Sequence, residues 1–371
     1  MRTLYAILVA SLLILSAVPA VFAVTVGTGI PIDITTEDFE PRVWMCDNRV
    51  VTDDNVEFGR FSNPGEILLE RINNYAFEGE QISWKVLVFD KNGIEKVKDV
   101  FATLGSSQGS GNDIEVNCHL DEIVPTWEGI DESCNARILE EEIHSASENT
   151  AAYYTCTLTV ETTESMYGEY WVTVEAEDLD GLSGTMDENE YWFFNPVIAL
   201  SIDGSLSFDD VRPGAQSYSD TILVGNDADP GSGVMMDMFI SGTDFYDSAS
   251  SGAKCPTTNQ LSLLNFRYFA TSGAYSTAND FAVGGRGPGA ADNRNVDSEG
   301  YVNIGYADGF NDPTPFYNGF EIIQQQPQGP YWVANVLAPG AEMALTFKLD
   351  LPEPCNGDFD TGSIFFWGEA I

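Results

Sequence analysis

The sequence predicts an all-β protein made of tandem antiparallel β-sandwich domains. The main evidence is a period-two alternation of apolar and polar residues in segments of strand length. Residues 82–88 are apolar at every second position before the turn Lys91-Asn92-Gly93, and residues 156–161 and 170–176 repeat the pattern. Because successive side chains of a strand point to opposite faces, such segments bury one face and expose the other. Strands of this length separated by turn residues are typical of a sandwich.

A domain junction is expected near residues 193–197, because Pro196 would interrupt a central strand and a new apolar run follows it. The expected domains are an N-terminal sandwich at 24–195 and a C-terminal sandwich at 196–371. In the second, strands are expected at 220–224, 344–351 and 363–370. Between about 257 and 339 lies a long aromatic-rich insertion, in which we expect short strands, since structureless connections of this length are uncommon.

The N-terminus has the features of a secretory signal peptide at residues 1–23. Arg2 precedes an apolar stretch from Leu4 to Phe22, and Ala23 provides the small residue before an expected cleavage site. An uncleaved membrane anchor is the alternative, because the stretch is nearly long enough to cross a bilayer. Both interpretations place the protein outside the cell or at its surface.

Cysteine usage fits an exported protein. An even number of cysteines in such a chain predicts disulfides. If the two halves are separate domains, Cys255 can pair only with Cys355. The four N-terminal cysteines allow three pairings, which the sequence does not separate: Cys46, Cys118, Cys134 and Cys156. A zinc site is disfavoured because no two cysteines have the short spacing of a metal knuckle.

The charge balance is strongly acidic. Once Arg2 is removed with the signal, 15 basic residues face 58 acidic ones, a formal balance of −43. Such a surface repels nucleic acid and anionic membranes and favours cations. A disordered acidic chain is disfavoured, because 43% hydrophobic residues are enough to form a core. Between Arg137 and Arg212 there are 17 carboxylates and no Lys or Arg, which suggests that this region lacks an internal counter-charge.

Calcium is therefore the metal to consider, although no cofactor is required by the sequence. Turns that gather carboxylates provide the hard oxygen ligands that Ca²⁺ prefers. The candidate ligands lie in two clusters, with a solvated acidic turn as the alternative for each: Glu175, Glu177, Asp178 and Asp180, then Asp227 and Asp229 beside Asn226. A third acidic group, Asp187, Glu188 and Glu190, follows the first cluster. None of them has EF-hand spacing.

Two other segments bear on possible partners. The insertion contains Tyr331 and Trp332, which are candidate ligand-binding residues for a glycan. Residues 24–34 alternate and are unusually apolar for an exposed chain end. They are either the first strand of the N-terminal domain or a donor strand that completes the open sheet of a neighbouring molecule.

Several short patterns carry a resemblance to a known family. The second half resembles secreted Ig-like β-sandwich surface proteins of small-genome archaea through four motifs: Pro213-Gly214, Gly225-Asn226-Asp227, Ile240-Ser241-Gly242-Thr243-Asp244, and residues 362–370. The first half looks like an immunoglobulin-type domain, with Trp84 in the place of the core tryptophan and Tyr154 two residues before Cys156. The resemblance implies a surface location and no reaction.

Enzymatic motifs are weak. Gly105-Ser106-Ser107-Gln108-Gly109 matches a nucleophile elbow, but no helix is predicted after it. Residues 285–289 have the glycines of a phosphate loop, but Pro288 and the missing strand and helix favour a turn. The sequence thus favours a non-enzymatic surface-layer, filament or adhesion subunit that associates with itself or with other surface proteins. The alternatives are a carbohydrate-binding or adhesin module that uses the aromatic insertion and, third, a secreted hydrolase.

Overall fold

The computed structural model describes residues 29–53, 67–68, 71, 73–109, 111–124, 130–131, 133–134, 149–186, 190–249, 252, 254–256, 258–280, 296–307, 320–328 and 331–371. The predicted signal segment lies outside these residues. Contacts divide the chain into two units, Met1–Asp38 and Phe39–Ile371. Of the first unit, residues 29–38 are described, and they run without helix or strand.

The first half of the second unit is formed by strands that pair into one continuous sheet. In chain order they are β1 (Arg42–Asp53), β2 (Tyr75–Ala76), β3 (Glu80–Phe89), β4 (Val97–Gly105), β5 (Ile114–Ile123), β6 (Ala151–Thr159), β7 (Gly168–Asp178), β8 (Ser183–Met186) and β9 (Tyr191–Phe194). The sheet order is β1-β3-β6-β5-β4-β7-β9-β2, with β8 also paired to β7. A 3-10 turn at Ile94–Lys96 joins β3 to β4.

The sheet curls because β5 changes partner along its length. Its first residues, up to Asn117, pair with β4, and from Cys118 onward it pairs with β6. The curl brings β8 against the chain entering β1, where a Cβ on Gly184 would lie 1.7 Å from the carbonyl oxygen of Pro41. Only glycine fits at this approach. The first half therefore wraps around its own core.

That core contains Trp84, which is 1% exposed and lies in one cluster with Cys118 and Cys156. These two cysteines form a disulfide between directly paired residues of β5 and β6. In an immunoglobulin domain the corresponding bridge joins the two sheets, so the N-terminal half departs from that pattern. A second disulfide joins Cys46 to Cys134, inside a smaller cluster on the other face of β3.

The second half consists of shorter strands in several sheets. In chain order they are β10 (Leu200–Asp203), β11 (Gln216–Tyr218), β12 (Ile222–Asn226), β13 (Met236–Gly242), β14 (Phe245–Tyr246), β15 (Gln260–Leu261), β16 (Phe266–Ser272), β17 (Tyr275–Ser276), β18 (Val302–Asn303), β19 (Gly305–Tyr306), β20 (Pro327–Gln328), β21 (Tyr331–Trp332), β22 (Val336–Leu337), β23 (Glu342–Asp350) and β24 (Ile364–Ala370). Further 3-10 turns lie at Leu263–Asn265, Thr277–Asn279 and Val333–Asn335.

Two sheets of this half face each other across the main core. One has the order β10-β12-β23-β16-β17, and the other is centred on β13, which pairs along its whole length with β24. The core between them includes Tyr268, Phe347 and Met238, all fully buried. The third disulfide joins Cys255 to Cys355, and both cysteines belong to this core.

The two halves meet through Tyr75 and Phe193 of the first half, which lie in the core of the second. Asn73 adds a hydrogen bond, donating from Nδ2 to the Gly233 carbonyl at 2.7 Å. Strands up to Phe194 belong to the first sheet and strands from Leu200 to the others. The change of sheet falls between Phe194 and Leu200, and Phe39–Ile371 forms one compact unit. Among the described residues no helix is long and apolar enough to span a membrane.

Candidate functional site

The first acidic cluster lies at the end of β7, and two of its four carboxylates are paired with lysines. Lys98 Nζ lies 2.7 Å from Glu177 Oε1, and Lys96 Nζ lies 3.2 Å from Asp180 Oδ2. Asp178 Oδ1 accepts hydrogen bonds from the main-chain N–H groups of Asp180, at 2.9 Å, and Leu182, at 2.7 Å. Asp178 therefore closes the turn after β7, while Glu177 and Asp180 neutralise Lys98 of β4 and Lys96 of the 3-10 turn before it.

The same end of the sheet contains Asp90, which is fully buried. Its pKa is raised, first by burial and then by the charges of Asp178 and Asp180, while the hydrogen bond from the Asn92 N–H and the charge of Lys96 act against the rise. Burial also raises the pKa of Glu175. Within the described ranges, no group of three or more His, Cys, Asp or Glu side chains is arranged to hold a metal ion.

The second acidic cluster is divided between different structural roles. Asn226 is buried and donates from Nδ2 to the carbonyls of Val234 and Leu337. Asp229 Oδ2 accepts from the Val197 N–H at 2.8 Å and from the Tyr167 hydroxyl at 3.0 Å. Asp227 is exposed. These side chains do not point to a common centre.

The third acidic group lies partly outside the described residues, which include Glu190 but not Asp187 or Glu188. Glu190 Oε2 pairs with Arg49 Nη2 at 2.5 Å. Counter-charges for the acidic region therefore do come from within the protein, although from strands distant in sequence. The inference that this region lacks an internal counter-charge was wrong, because Arg49, Lys96 and Lys98 precede Arg137 in the sequence but pair with the region's carboxylates in the fold.

Tyr331 and Trp332, the candidate glycan-binding residues, are each only 8% exposed. Other aromatic residues of the insertion, Phe266 and Tyr268, belong to the main core. A sugar needs an accessible ring face, and these buried rings do not provide one. In the described part of the insertion, residues 258–280, 296–307, 320–328 and 331–339, these aromatic side chains serve mainly as core.

The remaining motifs have ordinary structural positions. Ser106 is exposed in the connection between β4 and β5, so a strand follows it where a nucleophile elbow would have a helix. Residues 285–289 lie outside the described part.

Asp237 was not identified from the sequence: burial raises its pKa from 3.8 to about 7, with smaller contributions from Glu321 and Glu369.

An apolar groove opens between the two facing sheets of the second half. Its volume is about 320 Å³. Ile222 and Phe347 form its buried floor, at 3% and 0% exposure. Ile202 of β10 and Leu206, which follows that strand, lie on its rim, and Ile364 and Phe366 of β24 line the other side. We call this feature the inter-sheet groove.

The second candidate element is the segment at residues 30–34, which we call the isoleucine segment. Ile30, Ile32 and Ile34 are 86%, 78% and 77% exposed. They alternate with Pro31 and Asp33, so in an extended chain the three isoleucines project on one side. A row of exposed branched apolar residues is unusual on a monomeric protein, which makes this segment a candidate interaction surface.

The fold defines the class of this protein, which is β-rich and disulfide-bonded. No protein-family model and no curated protein matches the chain. Among solved structures it is similar to one named BspA_C_WT, with 11% identity, a TM-score of 0.29 and coverage of 87% of this chain and 96% of that chain. It is also similar to the C-terminal domain of the AgI/II polypeptide BspA from Streptococcus agalactiae, with 10% identity, a TM-score of 0.29 and coverage of 89% and 97%. Similarity at this level supports no argument about function.

Proposed function

We propose that this protein is an exported, non-enzymatic structural component of a cell surface that associates with copies of itself. The observation that carries the proposal is the row of three isoleucines exposed at 77–86% on an extended segment. Each isoleucine, once buried, would contribute about 1.5–3 kcal/mol. Self-association of the copies would provide this burial.

Three further features support an extracellular role. The disulfides Cys46–Cys134, Cys118–Cys156 and Cys255–Cys355 belong to an oxidising compartment. The signal-like residues 1–23 would direct the chain there. We also infer that the two halves are immunoglobulin-like sandwich modules in tandem, a rigid arrangement suited to a layer or filament, although the position of the Cys118–Cys156 bridge differs from that fold.

Cations enter this proposal through the overall charge rather than through a single site. The balance of −43 without the signal makes neighbouring copies repel each other, and dissolved cations reduce that repulsion. Asp180 already pairs with Lys96, and Asp178 already accepts hydrogen bonds from two main-chain N–H groups, which leaves less reason for a dedicated calcium ion at either residue.

The test compares the mature protein with a variant that carries Ile30→Ser, Ile32→Ser and Ile34→Ser. Light scattering and negative-stain microscopy, over a range of concentration and salt, should show polymers or sheets for the wild type and monomers for the variant. A matched control replaces two isolated exposed leucines, Leu179→Ser and Leu264→Ser, whose exposures are 61% and 65%. The control should assemble normally.

A wild-type protein that stays monomeric under all these conditions would contradict the proposal. The carbohydrate-binding alternative then becomes the hypothesis to pursue, by screening the monomer against immobilised glycans. Turnover of a polysaccharide that a single carboxylate-to-amide change abolishes would support the hydrolase instead.

A further inference from the structure

The inter-sheet groove lies beside a sheet edge whose main-chain groups point outward. Within the described residues β10 pairs only with β12. Val197 and Ala199 accept hydrogen bonds from the N–H groups of Asp229 and Asp227. In an antiparallel pair, residues that face the partner strand alternate with residues that face away. The N–H and C=O groups of Leu200 and Ile202 therefore point away from β12, toward the open edge.

The side chains of the same residues lie on the groove side of the sheet, and that of Ile202 is 52% exposed at the rim. Leu200 packs against the main core and Ile202 lines the groove. A strand added at this edge would consequently find main-chain partners beside it and an apolar space below its inward side chains. Gly204 lies at the same edge with φ +112°, where a Cβ would stand 3.0 Å from Ile222 Cγ2. The absence of a side chain there keeps the groove open.

The isoleucine segment has the pattern that this edge requires. Three isoleucines at every second position can enter the groove together, while Asp33 on the opposite face remains in solvent. Pro31 has no N–H, so the strand tolerates it only where that position faces away from the neighbouring strand. With the isoleucines inward, this condition is met in the antiparallel orientation. In a parallel orientation Pro31 would face β10 and lose a hydrogen bond.

The segment cannot reach the groove of its own molecule. The Phe39 N–H donates to Asn92 Oδ1 at 2.5 Å, near the end of the first sheet where Val97 pairs with Asp178. The second half begins at the other end, where Gly168 pairs with Phe194. The eleven residues of β7 between these ends span about 33 Å. The five residues from Phe39 to Ile34 reach at most about 18 Å.

We propose that the isoleucine segment of one copy adds as an antiparallel strand to the open edge of β10 in a second copy, with Ile30, Ile32 and Ile34 in the inter-sheet groove. The proposal rests on the proposed function and specifies how the copies join. Each copy donates one segment and offers one groove. Because the two surfaces differ, the contact is head-to-tail and generates open chains unless its rotation closes a ring.

The test uses a synthetic peptide of residues 29–38 and, as receptor, the full-length mature protein carrying Ile30→Ser, Ile32→Ser and Ile34→Ser. Binding is measured by fluorescence anisotropy of the labelled peptide. Main-chain methylation provides matched peptides, because the Ile32 N–H is expected to bond to β10 and the Asp33 N–H to face solvent. Methylation of the Ile32 nitrogen should weaken binding at least tenfold, and methylation of the Asp33 nitrogen less than about twofold.

A receptor that also carries Ile202→Arg should lose binding at least tenfold, whereas Leu264→Arg, at a site outside the groove lining, should not. Equal effects of the two methylations would overturn the proposal, and that comparison leaves the protein unchanged. If the wild type forms polymers but the peptide does not bind, the strand-addition site is wrong while the proposed function stands. If the peptide binds as expected but the wild type never polymerises, the site stands and the structural function fails.

Discussion

The hydroxyl of Tyr75 donates a hydrogen bond to the main-chain oxygen of Ile371, which lies 296 residues further along the sequence. Tyr75 is fully buried, and its ring packs within the core of the second half. A side chain from the first half thus completes the core of the second. We expect the two halves to unfold together as one cooperative unit.

Replacing Tyr75 with Phe should lower the free energy of unfolding by about 1–3 kcal/mol, because the buried oxygen of Ile371 loses its donor. The measurement is urea unfolding followed by tryptophan fluorescence. Tyr167→Phe is a matched control at the same junction: its exposed hydroxyl donates to Asp229 at 3.0 Å, and its loss should cost less than about 0.5 kcal/mol. Equal losses for the two variants would contradict the importance assigned to Tyr75.

Asp237 should make the protein less stable as the pH rises from about 4 to about 7. Its pKa is raised to about 7, mainly by burial, with Asn335 opposing the shift and Glu321 and Glu369 reinforcing it. Because the folded state holds this proton more tightly than the unfolded state, deprotonation across that window removes stability, by about 4 kcal/mol at most. Below this window both states are protonated, and the contribution of Asp237 no longer changes with pH.

Asp237→Asn tests this expectation, because the amide has the same shape and carries no charge. The variant should match the wild type near pH 4 and become more stable than the wild type near pH 8. Asp227→Asn, an exposed carboxylate in the same half, is the control and should follow the wild-type pH profile. The role of Asp237 would be refuted if Asp237→Asn and the wild type kept a constant difference across the pH range, as measured by urea midpoints.

Trp332→Ala should destabilise the protein by about 3–5 kcal/mol, since it removes a large side chain that is 8% exposed. Thermal unfolding of the variant measures the loss. Trp367→Ala, where the side chain is 37% exposed, should cost less. A Trp332→Ala variant that keeps wild-type stability but loses binding to a glycan would instead support a carbohydrate-binding module.

Sodium and calcium should stabilise the protein equally at equal ionic strength if cations act by screening. Raising the salt from about 0.01 to about 1 M shortens the screening length from about 30 to about 3 Å, so the melting temperature should rise smoothly with either salt. A saturable rise at low calcium concentration, absent with sodium, would reveal a specific site. In that case Asp178→Asn, which alters a candidate ligand, should remove the rise.

The alternation of apolar residues was sufficient to predict the all-β class, which the structure confirms. Residues 82–88 lie within β3, and residues 170–176 lie within β7. Alternation did not predict that β3 is buried on both faces near its end, where Leu87 and Phe89 are 1% and 4% exposed. The residues that cover them, Trp44 and Tyr153 among others, come from strands that are distant in sequence.

The candidate site was less predictable for the same reason. The isoleucine segment was recognised from its own alternation, which is a local property. The inter-sheet groove depends on β10 pairing with β12 and on β24 lying in the facing sheet. No local sequence pattern predicts which distant strands pair. Likewise, Tyr331 and Trp332 stand in a sequence rich in turn residues, and only the packing shows that they are buried. Lys98 and Glu177 pair across 79 residues.

The bridge between Cys255 and Cys355 also determines how this protein would respond to a mechanical load. The cysteines are separated by 100 residues, and a pulling force that travels along the chain passes directly through their sulfur atoms. The enclosed loop, which contains the whole of β16 and β23, is then shielded from extension. Under a pulling force, the maximum extension of the oxidised protein would consequently be about 330–360 Å shorter than that of the reduced protein.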